Sequence, residues 1–222
     1  MSPRRPAARE RLLTAAIRMV SEGGPEALQA RKLAAEAGVS TMGLYTHFGG
    51  MGGLVEGIAR EGFTRFARRL AAEPTGDDPL ADLFALGLAY RDHALADPHL
   101  YRVMFGVSAP GGHGVPGRDL TASPDVVDLP EGRTAFGLLI DAVTRVGESG
   151  RVRPEDPAIA AAHVWSAVHG YVLLEMAGYF GDDGVERVLV PLAVKLAVGS
   201  GDTVEAATRS VRAALSRRTG SG

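Results

Sequence analysis

An all-α fold is what this sequence predicts, and three observations carry the prediction. Apolar residues recur at three- and four-residue intervals, as at Leu12, Leu13, Ala16, Ile17 and Val20, which places them along one face of a helix. No stretch alternates apolar and polar residues as a half-buried strand would. Glycine- and proline-containing breaks at "SEGGP", "PTGDDP", "LADP" and "GSGD" cut the chain into segments of helical length.

Taken in order, the first helix spans about residues 8–22 and ends at "SEGGP". A short second helix covers about 30–37, a third about 40–48, and a longer fourth about 51–72 with Leu54, Ile58, Phe66 and Leu70 inward. Leu80, Leu83, Phe84, Leu88 and Tyr90 mark a fifth, and "HLYRVMFG" a short sixth. Residues 107–130, rich in Gly, Pro, Ser and Asp, read as a long loop, either a lid or a plain connection. Helices at about 131–148, 156–180, 185–198 and 203–217 complete the chain. Pro191 lacks an amide donor and should kink the third of these from within.

With 222 residues and 45% apolar content, the chain can bury a substantial core in one or two domains. It has no cysteine, so disulfides, thiolate metal sites and cysteine nucleophiles are excluded. No uninterrupted apolar run approaches the roughly 20 residues of a bilayer span, and "MSPRRPAARERLL" lacks an apolar signal core. A cytoplasmic protein with no membrane partner is expected. Charge is uneven: residues 1–73 hold 11 Lys and Arg against 7 Asp and Glu, the remainder 13 against 19. A net of +4 makes the N-terminal end the candidate for a polyanion.

That end contains "RKLAAEAGVSTMGLYTHFGG", residues 31–50. Two short helices can cross closely only if their contact residues are small, which Ala34 and Ala37 provide. Gly38 suits a left-handed residue just past a helix end, Val39 can plug the angle, and Ser40 offers its hydroxyl as the next N-cap. This is helix-turn-helix spacing. In the third helix Leu44 and Phe48 point inward, leaving Thr41, Met42, Tyr45, Thr46 and His47 outside, a surface suited to major-groove edges and phosphates. The spacing also fits a helical hairpin with a solvated polar face, and by itself it leaves both readings open.

The run from "RERLLTAAIRMVSEGG" through "LQARKLAAEAGVSTMGLYTHFGGMGGLVEGI" resembles the N-terminal DNA-binding domain of TetR-family transcriptional regulators over about fifty residues, with A-x-x-A-G-V-S and L-Y-x-H-F as its specific core. The resemblance implies an N-terminal helix-turn-helix domain over 1–50, a connecting helix over 51–73, and a helical-bundle domain over 74–222 for effector binding and dimerisation. It also implies a ligand-responsive repressor: a homodimer on double-stranded operator DNA, released by a small apolar or aromatic molecule.

Position by position, Thr41, Met42, Tyr45 and Thr46 fall where the family reads base edges, and Ser40, Gly43 and His47 where it meets phosphate. Arg31 opens the second helix, where some members place arginine on a guanine. Gln29 stands with them at a position where the family favours a threonine N-cap. Met51 replaces a lysine that commonly grips phosphate, which removes one salt-sensitive contact. The amides at "GGMGG", or Arg4 and Arg5 in the minor groove, could substitute.

"HVWSAVHGYVLLEM" puts Trp165 and His169 one turn apart on one helix face, before Gly170. This resembles the Trp, His and Gly motif that names a C-terminal subclass of the family, as "DPHLYRVMFG" resembles its short helix. The pair either packs as core or clamps a ligand. Phe84, Leu88, Tyr101, Met104, Phe105, Phe136 and Leu139 are candidates to line an apolar pocket with them, or to form ordinary core.

An enzyme is not expected. "GHGVPG" satisfies G-x-G-x-x-G literally but follows no strand and opens no helix. The histidines lack metal-ligand spacing, no serine sits in a nucleophile elbow, and neither cofactor nor metal is implied. The remaining alternative is a helical ligand-binding or interaction protein with weak or lost DNA binding.

Overall fold

The computed structural model describes residues 7–114, 129–153 and 156–219. Arg4, Arg5 and the part of the expected 107–130 loop at 115–128 lie outside them. Among the described residues every regular element is helical: α1 Ala8–Gly23, α2 Ala30–Ala37, α3 Thr41–Phe48, α4 Met51–Ala71, α5 Pro79–Ala96, α6 Pro98–Met104, α7 Pro130–Glu148, α8 Pro157–Met176, α9 Val190–Gly199 and α10 Val204–Thr219, with short 3-10 turns at Pro25–Ala27 and Pro110–Gly112.

Contacts divide the chain into two compact units, Met1–Arg65 with Asp97–Arg118, and Phe66–Ala96 with Asp119–Gly222. These units cut across the expected boundaries at 50 and 73. Helix α4 passes from the first unit to the second at Phe66, and α6 packs on α1 within the first. The reason for the second point is local chemistry: the Ser21 hydroxyl donates to the Asp97 carboxylate, and Asp97 also caps α6 by accepting from the Leu100 amide at 3.0 Å.

The core of the first unit is the inward stripe of each helix, with Leu12, Val20, Leu33, Leu44, Leu54 and Ile58 buried. Their three- and four-residue spacing brings them to one face, where each buried leucine or isoleucine contributes about 1.5–3 kcal/mol. In the second unit α5 packs on α7, α8 and α10, and α9 on α10. Helix α8 is 20 residues long and apolar enough by length and composition to cross a membrane, with His163, His169 and Glu175 placed along it.

Two helix ends depart from expectation. Pro191 does not sit inside one kinked α-helix; it sits at the second residue of α9, directly after a π-helical turn at Val185–Leu189. There the Val190 amide reaches the Val185 carbonyl, so the ladder is already shifted before the residue that cannot donate. Helix α8 stops at Met176 rather than near Phe180, because Gly178 takes a positive φ of 81° and the Tyr179 amide turns back to the Leu174 carbonyl.

An ionic network ties α10 to the start of α5. The Asp82 carboxylate, only 5% exposed, pairs with Arg145 at 3.0 Å and Arg217 at 2.8 Å and accepts from the Gly76 amide at 2.8 Å. Beside it, Arg151 pairs with Asp78 and Asp202 and donates to Ser210.

Candidate nucleic-acid interface and ligand cleft

The α2–α3 turn is built as the residue types require. Gly38 ends α2 with φ 63° and ψ 43°, the left-handed conformation in which a β-carbon is costly. The Val39 amide donates to the Ala34 carbonyl and the Gly38 amide to that of Ala35, the hydrogen-bond pair of a Schellman ending. Ser40 then caps α3, its hydroxyl accepting from the Gly43 amide at 3.2 Å. Arg11 anchors the turn from α1 by donating to the Ala37 carbonyl at 3.0 Å.

Helix α3 lies with Leu44 1% exposed, while Met42 is 70% and Tyr45 60% exposed. Thr41, Thr46 and His47 share that open side, and Arg31, Ser40 and Gln29 are also exposed. Eight of the nine sequence-selected residues are therefore exposed, with Gly43 half-buried against Val39. Gln29 occupies the N-cap position of α2 without a side-chain capping bond. The Thr46 hydroxyl donates to the Met42 carbonyl at 3.0 Å, which occupies its one proton and leaves its oxygen free to accept.

The rigidity of this surface comes from its far end. Phe48 packs its ring against Gly57, beneath the Arg9 guanidinium at 4.9 Å, and the Phe48 carbonyl abuts Gly53. A β-carbon on Gly53 would fall 1.9 Å from that oxygen. Within "GGMGG", Gly53 thus serves a close approach of α4 to the end of α3, a role the sequence offers no way to separate from phosphate binding by bare amides.

Of the nine residues selected for a ligand, three fall in the first unit and six in the second. Tyr101, Met104 and Phe105 belong to the first unit, where Phe105 meets Phe63 edge-on at 5.2 Å and Tyr101 at 4.7 Å. In the second unit Trp165 and His169 do meet, through a third residue. The Trp165 Nε1–H donates to the Tyr90 hydroxyl at 3.2 Å, and that hydroxyl lies 2.9 Å from Nδ1 of His169. With the indole donating to it, the hydroxyl donates onward to Nδ1 of a neutral imidazole. Burial pushes the His169 pKa down, which favours that neutral form. Phe136 lies edge-on to Trp165 at 5.9 Å, Leu139 joins the same apolar cluster, and Leu88 is buried. Tyr90, Phe136 and Leu88 are buried, and Trp165, His169 and Leu139 half-buried.

The open cavity lies elsewhere in this unit: a cleft of about 740 Å³ between α5, α7, α8, α9 and α10. Of the nine candidates only Phe84 lines it; Val146, Val164, Leu196 and Lys195 are among the walls that periodicity did not single out. Each lies on an apolar or mixed stretch whose pattern is the same for core and for cavity wall, so no sequence signal distinguished them.

Residues 12–58 match the family model of bacterial regulatory proteins of the tetR family, and residues 83–196 match the tetracyclin repressor-like C-terminal domain. The chain is 30% identical over 194 residues to the uncharacterized HTH-type transcriptional regulator Rv0681 of Mycobacterium tuberculosis, covering 86% of this chain and 80% of that protein. Among solved structures, a protein of unknown function from Rhodococcus sp. RHA1 aligns with a TM-score of 0.71 at 25% identity, over 91% of this chain and 100% of that one. RolR in complex with resorcinol aligns with a TM-score of 0.62 at 18% identity, over 92% of each chain.

Proposed function

The chain belongs to the TetR family of bacterial transcriptional regulators, and from that premise we propose that it is a homodimeric repressor which a small molecule releases from operator DNA. The observation that carries the reading is the outward set on α3, Thr41, Met42, Tyr45, Thr46 and His47, held in place by a buried Leu44. Tyr45, Met42, Thr41 and Thr46 read base edges in the major groove; Ser40, Gly43 and His47 set the register on phosphates. Arg31 adds a guanine contact. Replacing it with alanine should cost about 1–3 kcal/mol on the preferred operator and relax one base-pair preference. Titrations against operator variants check this, and uniform weakening on all of them would remove Arg31 from base reading.

Two reading heads on a two-fold operator must sit about 34–36 Å apart, so the reading needs a dimer. Helix α8 supports one. Ile159 and Leu174 are exposed on it, and a β-carbon at Gly170 would meet nothing within 4 Å of its own chain. A helix-interior glycine costs about 1 kcal/mol relative to alanine, and here its own chain gives no packing reason for it; a second copy pressed against α8 supplies one. Gly170→Leu should leave helix content unchanged and shift light-scattering mass from dimer to monomer. An unaltered dimer would place the interface elsewhere.

An effector acts only if it favours one separation of the reading heads over the other, because equal affinity for both shifts nothing. The second unit offers a cleft of effector size, and a protein of similar fold, RolR, holds resorcinol. The whole reading is tested by selecting bound fragments from a random duplex pool with the purified protein, then screening apolar and aromatic compounds for release. A protein that enriches no fragment at low ionic strength is not an operator-binding repressor.

A further inference from the structure

The cleft in the second unit has walls of one kind and a rim of another. Leu83 and Phe84 of α5, Val146 of α7, Val164 of α8 and Leu192 and Leu196 of α9 make it aliphatic over most of its surface. Among the described residues no aspartate or glutamate lines it. The surrounding helices do carry carboxylates, but Asp78, Asp82 and Asp202 are engaged by Arg145, Arg151 and Arg217. What remains at the cleft is Lys195 on α9 and His163 on α8, both exposed. Lys195 enters no ion pair among the described residues, while Arg145, Arg151 and Arg217 are each held by a carboxylate.

From this geometry we infer that the cleft binds an amphiphilic carboxylate: an aliphatic body of medium length along Leu83, Val164 and Leu196, with its anionic head at the Lys195 ammonium. The inference rests on the reading of the second unit as the effector domain and names the chemistry of what enters it. The cleft, at about 740 Å³, falls in the range of sites that enclose small organic ligands, roughly 300–1,000 Å³. Apolar burial supplies the affinity and the single cation supplies the choice of head group, since a charge-assisted contact adds to binding what a neutral head cannot. The second unit carries an excess of acidic residues, yet the charge on the rim of its apolar cleft is positive, which gives the site a defined sign.

Calorimetric titration of the full-length protein, without DNA, tests the assignment with hexanoate, octanoate, decanoate and 1-decanol below their aggregation limits. Saturable binding of one decanoate per chain is expected, with affinity rising about fourfold per added methylene. Lys195→Gln should weaken decanoate about fivefold, as loss of one partly solvated charge contact would, and leave decanol unchanged. Val164→Trp, which fills the cleft, should abolish both while retaining the wild-type helical spectrum. Absence of saturable decanoate binding, or an equal loss for acid and alcohol in Lys195→Gln, overturns the proposal. So does a Val164→Trp protein that binds decanoate normally, or one that turns monomeric when the wild type takes up no decanoate, since a second copy would then occupy the cleft. A protein that binds operator but no decanoate refutes this inference alone; one that binds decanoate but no duplex refutes the repressor reading alone.

Discussion

Replacing Gly53 with alanine should abolish operator binding and lower the stability of the first unit by about 3–5 kcal/mol, the scale of a substitution that forces overpacked backbone apart. The added methyl carbon would stand 1.9 Å from the Phe48 carbonyl oxygen and 3.0 Å from its carbon, far inside the roughly 3.5 Å at which non-bonded heavy atoms settle. No side-chain rotation relieves this, because the obstructing atoms are backbone. The obstacle cannot retreat either: Phe48 ends α3, and Gly50, at φ 120°, holds a turn that only glycine adopts readily. Either α4 withdraws or α3 rotates, and both spoil the surface carrying Tyr45 and Met42. Gly137→Ala is the matched control. Its β-carbon meets nothing within 4 Å on helix α7, so it should be neutral or stabilise by up to about 1 kcal/mol. Urea unfolding midpoints and operator titrations of both variants decide the matter; a Gly53→Ala protein that unfolds and binds like the wild type would show that α3 and α4 do not approach as described.

The second large effect is expected at Asp82. Burial pushes its carboxyl pKa up, but the Gly76 amide and the Arg217 and Arg145 guanidinium groups more than reverse this and hold it below its ordinary value of 3.8. A carboxyl with a depressed pKa in the folded state contributes stability that is fully present above its unfolded-state pKa and is lost as pH falls through the folded value. The wild type should therefore lose stability on acidification below about pH 4, where an ordinary aspartate begins to protonate. Asp82→Ala should be destabilised at pH 7 by about 2–3 kcal/mol. This is less than the 3–5 kcal/mol typical of a broken, fully buried pair, because Arg145 and Arg217 are 36% and 40% exposed and regain water. Its stability should then fall less steeply than that of the wild type between pH 4 and about pH 3. Chemical unfolding at those pH values checks both statements, and parallel slopes would mean that Asp82 is not the group whose charge the fold depends on.

Particular residues show how far a sequence carries this protein. Ala34, Ala37, Gly38, Val39 and Ser40 specify the turn between α2 and α3 because the geometry each serves, a close crossing, a left-handed ending, an N-cap, lies within four residues along the chain. The helical periods of α1 and α4 likewise place their inward faces correctly. Where local reading stopped short, a neighbour distant in sequence decided the outcome. Tyr90 is 75 residues from Trp165 and 79 from His169, and no spacing rule announces that its hydroxyl would satisfy both. Gly53 reads as a helix-start glycine until the Phe48 carbonyl is found against it.

What the sequence by itself determined, then, is the all-helical class and the reading helix with its exposed side, since both follow from repeat lengths and capping chemistry confined to a few consecutive residues. Only the tertiary structure decided that Tyr90 joins Trp165 and His169 by hydrogen bonds, that Tyr101 and Met104 belong with the N-terminal helices, and that Lys195 edges an aliphatic cleft. The physical reason is that an apolar residue on a helix carries the same periodicity whether it faces a neighbour or an empty space, and which of the two it meets is set by how separate helices pack.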